Sequence, residues 1–166
     1  LTTILEADPE HAPVRLSRAD VRAKAGDLEG ARADMAQVRP VAERSAGMLN
    51  NLCWLQAVSG FDLDQALADC DAGLTLRPDD AALLDSRGLA LLQLGRPEDA
   101  LAVYDAALEK RPDQASSIYG RGLALRALNN EAEAQVEIDK ASSQDPRIAR
   151  SFKAYEERHP RGSSEG

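Results

Sequence analysis

The side chains in this 166-residue sequence that could do chemistry are few: two histidines, two cysteines and a recurring Arg/Asp pairing. His11 and His159 stand near opposite ends of the chain, in loops or at helix ends. Neither has a nucleophile or a second ligand beside it, so both read as exposed polar residues. There is no glycine-rich phosphate loop, no GxGxxG and no HExxH, the patterns that would cradle a nucleotide or hold zinc. No catalytic residue, metal site or cofactor is expected.

Cys53 and Cys70 stand 7 residues before and 10 after Gly60. On two helices of one hairpin their heights differ by about 4–5 Å, at about 1.5 Å per residue. With axes about 8–10 Å apart, a disulfide needs the side chains to point at each other and Cα atoms within about 7 Å. A disulfide is one alternative, and it implies an oxidising compartment. Two buried thiols are the plainer expectation. Two thiols alone are too few for zinc.

Arg87 and Arg121 occur in SRG and GRG, and Asp71 and Asp105 precede them at a matched offset. Arg87–Asp71 and Arg121–Asp105 are expected to pair between successive structural units. The alternative is a solvated face, where such pairs add little stability.

These residues need elements to place them, and the sequence supplies a periodic set. Turns fall at Ala25-Gly26-Asp27, Ser59-Gly60-Phe61, Leu94-Gly95-Arg96 and Leu128-Asn129-Asn130, spaced 34, 35 and 34 residues apart. Gly and Asn tolerate the left-handed conformation that ends a helix. Pro78, Pro112 and Pro146 close three units at intervals of 34. Between turns, apolar residues recur every three or four positions, the mark of one-faced helices. A single helical hairpin cannot bury its face, so neighbours must stack. A fixed period of this size is the signature of a helical repeat array.

The pattern resembles the tetratricopeptide repeat. In the unit 81–114, Leu84, Gly88, Leu91, Ala100, Tyr104, Ala107 and Pro112 fill the family's positions; in 115–148 they are Ile118, Gly122, Leu125, Ala134, Ile138, Ala141 and Pro146. The unit 47–80 fits with Asn50, Trp54, Ala57, Ala66, Cys70, Gly73 and Pro78, although Trp54 stands where Gly is expected. The unit 12–45 is degenerate. Ala19, Ala31, Met35 and Val38 fit, but Pro40 comes about three residues early, so its second helix should be short and Val41–Gly47 a longer connection or an irregular helix. Residues 149–159 read as an amphipathic capping helix, with Phe152 in the first aromatic slot of a further unit and Tyr155 on the same side. Residues 1–10 look like the tail of a preceding repeat, and 160–166 like a disordered tail. The expected fold is all-α: a right-handed α-solenoid of stacked antiparallel helix pairs.

The resemblance implies a non-catalytic interaction scaffold whose first helices line a concave groove. The groove residues it designates are Leu55, Leu89 and Leu123, with Asn51, Asp85 and Tyr119 one turn earlier, Leu92 and Arg126 one turn later, and Gln93 alongside. An apolar groove of this kind takes an extended peptide or an amphipathic helix. The same leucines could instead pack between repeats or against another domain. The Lys, Asn and Arg that hold a C-terminal carboxylate in chaperone-binding members are missing: Leu16, Asp20, Leu52, Ala82 and Ser86 stand there. An alternative is an accessory or regulatory domain of a larger bacterial, envelope-type enzyme.

Composition sets further bounds. A net charge of -8 argues against nucleic acid, which requires a basic patch. No apolar run reaches the ~20 residues of a membrane span. Aromatics are only 4% of the chain, so the core must be built from Ala and Leu. Abundant Arg and Ala suggest a GC-rich bacterial source. The chain starts at Leu1, as a fragment or processed form would, and shows no signal peptide. A protein or peptide partner is expected, with the chain itself a monomer or weak homo-oligomer.

Overall fold

The computed structural model describes residues 11–159. The expected repeat tail at 1–10 and the tail at 160–166 lie outside the described residues. Among the described residues the structure is entirely helical. The helices are α1 (Ala12–Lys24), α2 (Leu28–Ala42), α3 (Ala46–Ser59), α4 (Leu63–Leu76), α5 (Ala81–Gln93), α6 (Pro97–Lys110), α7 (Ala115–Ala127), α8 (Glu131–Gln144) and α9 (Ala149–Arg158). The first eight form four antiparallel hairpins, each packed on the next as an α-solenoid.

Local chemistry sets the boundaries. Asp27, Ser45 and Asp80 accept backbone N–H groups from Gly30, Met48 and Ala82 at 2.9, 3.3 and 3.0 Å, capping α2, α3 and α5. His11 Nδ1 caps α1 by accepting from Val14 N at 3.3 Å, which gives that histidine a structural task. The four hairpin turns each pass through a residue with positive φ: Gly26, Gly60, Gly95 and Asn129. The glycines carry no Cβ to clash there, and Asn tolerates the conformation better than most.

Pro40 does not shorten its helix. α2 continues to Ala42, and only Glu43, Arg44 and Ser45 separate it from α3. Pro40 sits in the final turn of α2 on the exposed side. The carbonyl it deprives of a donor belongs to Ala36, also exposed, where water can take the donor's place.

The buried side chains fall into two cores. One, around Ala19, Met35, Val38, Leu49, Leu52 and Leu55, joins the first hairpin to one side of α3. The other runs from Cys53 and Ala57 through Leu89, Tyr104 and Leu123 to Phe152 and Tyr155. So α3 serves both. Within the second hairpin Cys53 and Cys70 form a disulfide, with Cα atoms 5.5 Å apart, rather than two separate thiols. One turn away on each helix the buried residues are Ala57 and Ala66. Such small side chains let the helices approach closely enough for the bridge.

Candidate functional site

The first helices of the last three hairpins, α3, α5 and α7, lie side by side and form one face of the array. α9 is seated on it. Its principal helix partner is α3, two hairpins away in sequence. Phe152 meets Trp54 of α3 edge-on at 6.4 Å and stacks on Tyr119 of α7 at 5.0 Å. A helix that touches α3 and α7 together must pass over α5, which lies between them. α9 thus lies across the face made by α3, α5 and α7 rather than extending the stack.

Polar contacts fix the direction of α9. Tyr119 Oη donates to Glu156 Oε2 at 3.1 Å, and Arg126 Nη1 lies 3.7 Å from Glu156 Oε1. In the same last turn of α9, Arg158 Nη1 donates to the Ser59 carbonyl at 3.3 Å, at the C-terminus of α3, where the helix dipole favours a cation. The guanidinium rests on Gly60, where any Cβ would come within 2.1 Å of it. Phe152 and Tyr155 are buried, and Lys153 and Glu157 face solvent. Burial raises the Tyr155 hydroxyl above the ordinary phenol value, the nearby Arg126 charge opposing.

The expected groove residues separate into three sets. Tyr119 and Arg126 line the seat of α9. Asn51 is exposed. The apolar ladder is not open: Leu89, Leu92 and Leu123 are buried in the same core as Phe152 and Tyr155. Leu55 belongs to the other core, so it does not continue their line. Asp85 is also buried, a correction to its reading as an exposed groove acid. It accepts from Ser117 Oγ at 2.8 Å, across the junction of the last two hairpins. Burial, only partly offset by hydrogen bonds from Ser117, Ser116 and Gln114, raises its carboxyl to about 6. Gln93 bridges repeats instead of lining a groove, since its Nε2 donates to the Ala57 carbonyl at 2.8 Å. Ser86 Oγ donates to Asn50 Oδ1 at 2.8 Å at the preceding junction.

Arg87–Asp71 and Arg121–Asp105 are present, each at 2.7 Å. Two more buried acids, Asp34 and Asp69, stand 35 residues apart at equivalent places in the first two units. Asp34 is buried against Arg18 and Arg22, with Nε and Nη1 respectively 2.8 Å from Oδ2, and Arg15 lies 3.6 Å away. Burial would raise its carboxyl, but the hydrogen bond from Arg18 and the charges of Arg18, Arg22 and Arg15 outweigh it and hold it below the usual carboxylate value. Asp69 is paired with Arg39 and accepts from Gln56 Nε2 at 2.9 Å. A cleft of about 510 Å³ between the first two hairpins is lined by Arg32, Arg39, Asp62 and neighbours. Its cations are already paired, Arg32 to Asp62 and Arg39 to Asp69. Among the described residues no group of three His, Cys, Asp or Glu is placed to hold a metal, and no helix is long and apolar enough to cross a membrane.

Comparison with known proteins agrees with the helical repeat fold. The family model described as tetratricopeptide repeat matches residues 60–115 and 86–146, together more than half of the chain. Among solved structures, MamA shares 18% identity over 90% of this chain and 86% of its own, with a TM-score of 0.62. YrrB, described as a TPR protein with an unusual peptide-binding site, shares 19% identity over 92% of this chain and 78% of its own, with a TM-score of 0.61. A tetratricopeptide repeat protein from Parabacteroides merdae shares 22% identity over 91% and 68%, with a TM-score of 0.55. At these identities the likeness is one of fold. No curated protein sequence matches the chain.

Proposed function

The chain belongs to the tetratricopeptide repeat family, and from that membership we propose that it is a non-catalytic scaffold whose concave face holds a helical segment of another protein. The family's fold suggests a protein-interaction scaffold; the choice of a helix as ligand is our reading. One observation carries it. An amphipathic helix, α9, already sits on that face with two aromatic anchors, Phe152 and Tyr155. This is helix-in-groove recognition, in which side chains three or four apart supply the contact. That YrrB is described as having a peptide-binding site is consistent with a groove of this fold serving such a purpose.

The reading is tested by adding an amphipathic helical peptide to the isotopically labelled chain. Backbone amide resonances of α3, α5 and α7 should shift. Shifts confined to α2, α4, α6 and α8 would place recognition on the convex side and overturn the proposal.

A further inference from the structure

α9 holds the groove, but it leaves one groove side chain poorly served. The Arg126 guanidinium is largely buried, and its Nε and Nη2 have no hydrogen-bond acceptor. Glu156 of α9 lies 3.7 Å from Nη1, beyond hydrogen-bond reach. Glu131 Oε2 is 3.3 Å from Nε but lacks hydrogen-bond alignment. Arginine is made for bidentate pairing with a carboxylate, and buried donors without acceptors are costly. The chain's own helix fills the apolar part of the site and satisfies the polar part incompletely.

From this we propose that α9 is a displaceable strap, and that the occupant it guards against is an amphipathic helix from a different protein. The proposal rests on the function proposed above. The partner helix carries two aromatic side chains three residues apart, as Phe152 and Tyr155 are, and an acidic side chain on the next turn that accepts hydrogen bonds from Arg126 Nε and Nη2. The seat it takes is the one beside Trp54 and Tyr119, with Leu89, Leu92 and Leu123 beneath. α9 competes by proximity: it is joined to α8 through residues 145–148 only, so its effective concentration at the groove is high. A partner therefore meets a mostly closed site, and its apparent affinity falls by the fraction of molecules that are open.

The experiment uses the full chain and a fluorescent synthetic peptide with the sequence of residues 147–159 as the probe. Phe152→Ala/Tyr155→Ala should bind the probe about tenfold or more tightly than the parent, because the strap no longer competes. Should that variant lose its helical signal, Glu156→Lys/Arg158→Glu weakens the strap at its polar contacts while leaving the core untouched, and the same gain is expected. Within the opened variant that also carries Tyr119→Phe, which removes the hydrogen bond Glu156 accepts from Tyr119, a probe bearing Glu156→Gln should bind about threefold more weakly, because it loses the ion pair with Arg126. Arg126→Gln in the chain should erase that difference.

Equal binding to parent and opened chains would sink the strap while leaving helix recognition intact. A persistent effect of Glu156→Gln in the Arg126→Gln chain would remove Arg126 as the selecting residue. No binding to a folded, opened chain would overturn both the strap and the proposed function. A parent dimer that the probe dissociates would show the occupant to be α9 of a second copy, contrary to the proposal.

Discussion

On the inner side of α2 a carboxylate, Asp34, is buried among three guanidinium groups; on the inner side of α6 a phenol ring, Tyr104, is buried against two glycines. A Cβ at Gly88 would come within 2.7 Å of that ring, and one at Gly120 within 2.2 Å. Both arrangements join helices of neighbouring hairpins, or of one hairpin, around a filled interior. Where glycine lets helices approach, a large ring fills the remaining space. The first hairpin has Ala19 in the position of Gly88, and beside its apolar core of Ala19, Ala31, Met35 and Val38 it buries Asp34 against three partly exposed arginines. The first hairpin therefore adds a buried charge cluster to its packing, where the third hairpin and its junction with the fourth rely on a ring packed against glycines. The two chemistries must respond differently to mutation and to pH.

The largest expected effect is on the packed side. Tyr104→Ala should cost about 3–5 kcal/mol, the range for removing a buried aromatic side chain. The loss should appear in the protection from hydrogen exchange of α5 to α8 more than of α1 and α2. Tyr104→Phe is the sharper control. The hydroxyl is buried with no hydrogen-bond partner, so its removal should be neutral or stabilising. A large loss for the phenylalanine variant would show that the hydroxyl has a task and that packing is not the whole account.

Next is the charged side. Asp34→Ala leaves Arg15, Arg18 and Arg22 without their shared acceptor. A loss of about 2–4 kcal/mol is expected, at or below the usual cost of breaking a buried pair because the arginines reach solvent. It should be read in urea titrations as earlier melting of α1 and α2. If Asp34→Ala and Tyr104→Ala destabilise all helices alike, the division into two chemistries fails.

The smallest effect concerns pH, and here the regions should diverge. The Asp34 carboxyl is held below its unfolded value. Its contribution is present above about pH 4 and is lost as pH falls through the folded value. Asp85, with a folded value raised to about 6, behaves in the opposite sense. Between about pH 4 and pH 6 the folded state holds a proton there that the unfolded state has lost, so stability falls as pH rises and then levels off. Asp85→Asn keeps an acceptor for Ser117 and removes the titration. It should stabilise the last two hairpins at pH 7 by on the order of 2–3 kcal/mol, with little gain at pH 4. Thermal melts of the parent and variant at both pH values would check the crossover.

The sequence displayed the repeat boundaries because they depend on neighbours only. The left-handed turns at Gly26, Gly60, Gly95 and Asn129, and the Arg87–Asp71 and Arg121–Asp105 pairs, follow from residue type and a constant offset. What covers the groove was not visible. Phe152 and Tyr155 suit a helix that continues the stack as well as one that folds back, and the choice is made by distant residues such as Trp54, Ser59 and Tyr119. Asp85 on a helix reads as solvent-facing until Ser117 is placed opposite it. A usable signal was present in the polar pairs Asn50–Ser86 and Asp85–Ser117, each separated by close to one repeat length. Asp34 too had a recurrence to mark it: Asp69 stands 35 residues later, and Arg18–Asp34 and Arg121–Glu137 share a separation of 16.

The bridge between Cys53 and Cys70 spans a sequence separation of 17 and ties α4 to α3, the helix that serves both cores. If the chain were stretched from its two ends, the segment enclosed by the bridge would bear no load and could not lengthen. About 50 Å of extended backbone would stay hidden from the pull. Tension would pass directly from α3 to α4 through the sulfur atoms. The second hairpin then behaves as a rivet of fixed length between two parts that can yield, each at a force set by its own chemistry.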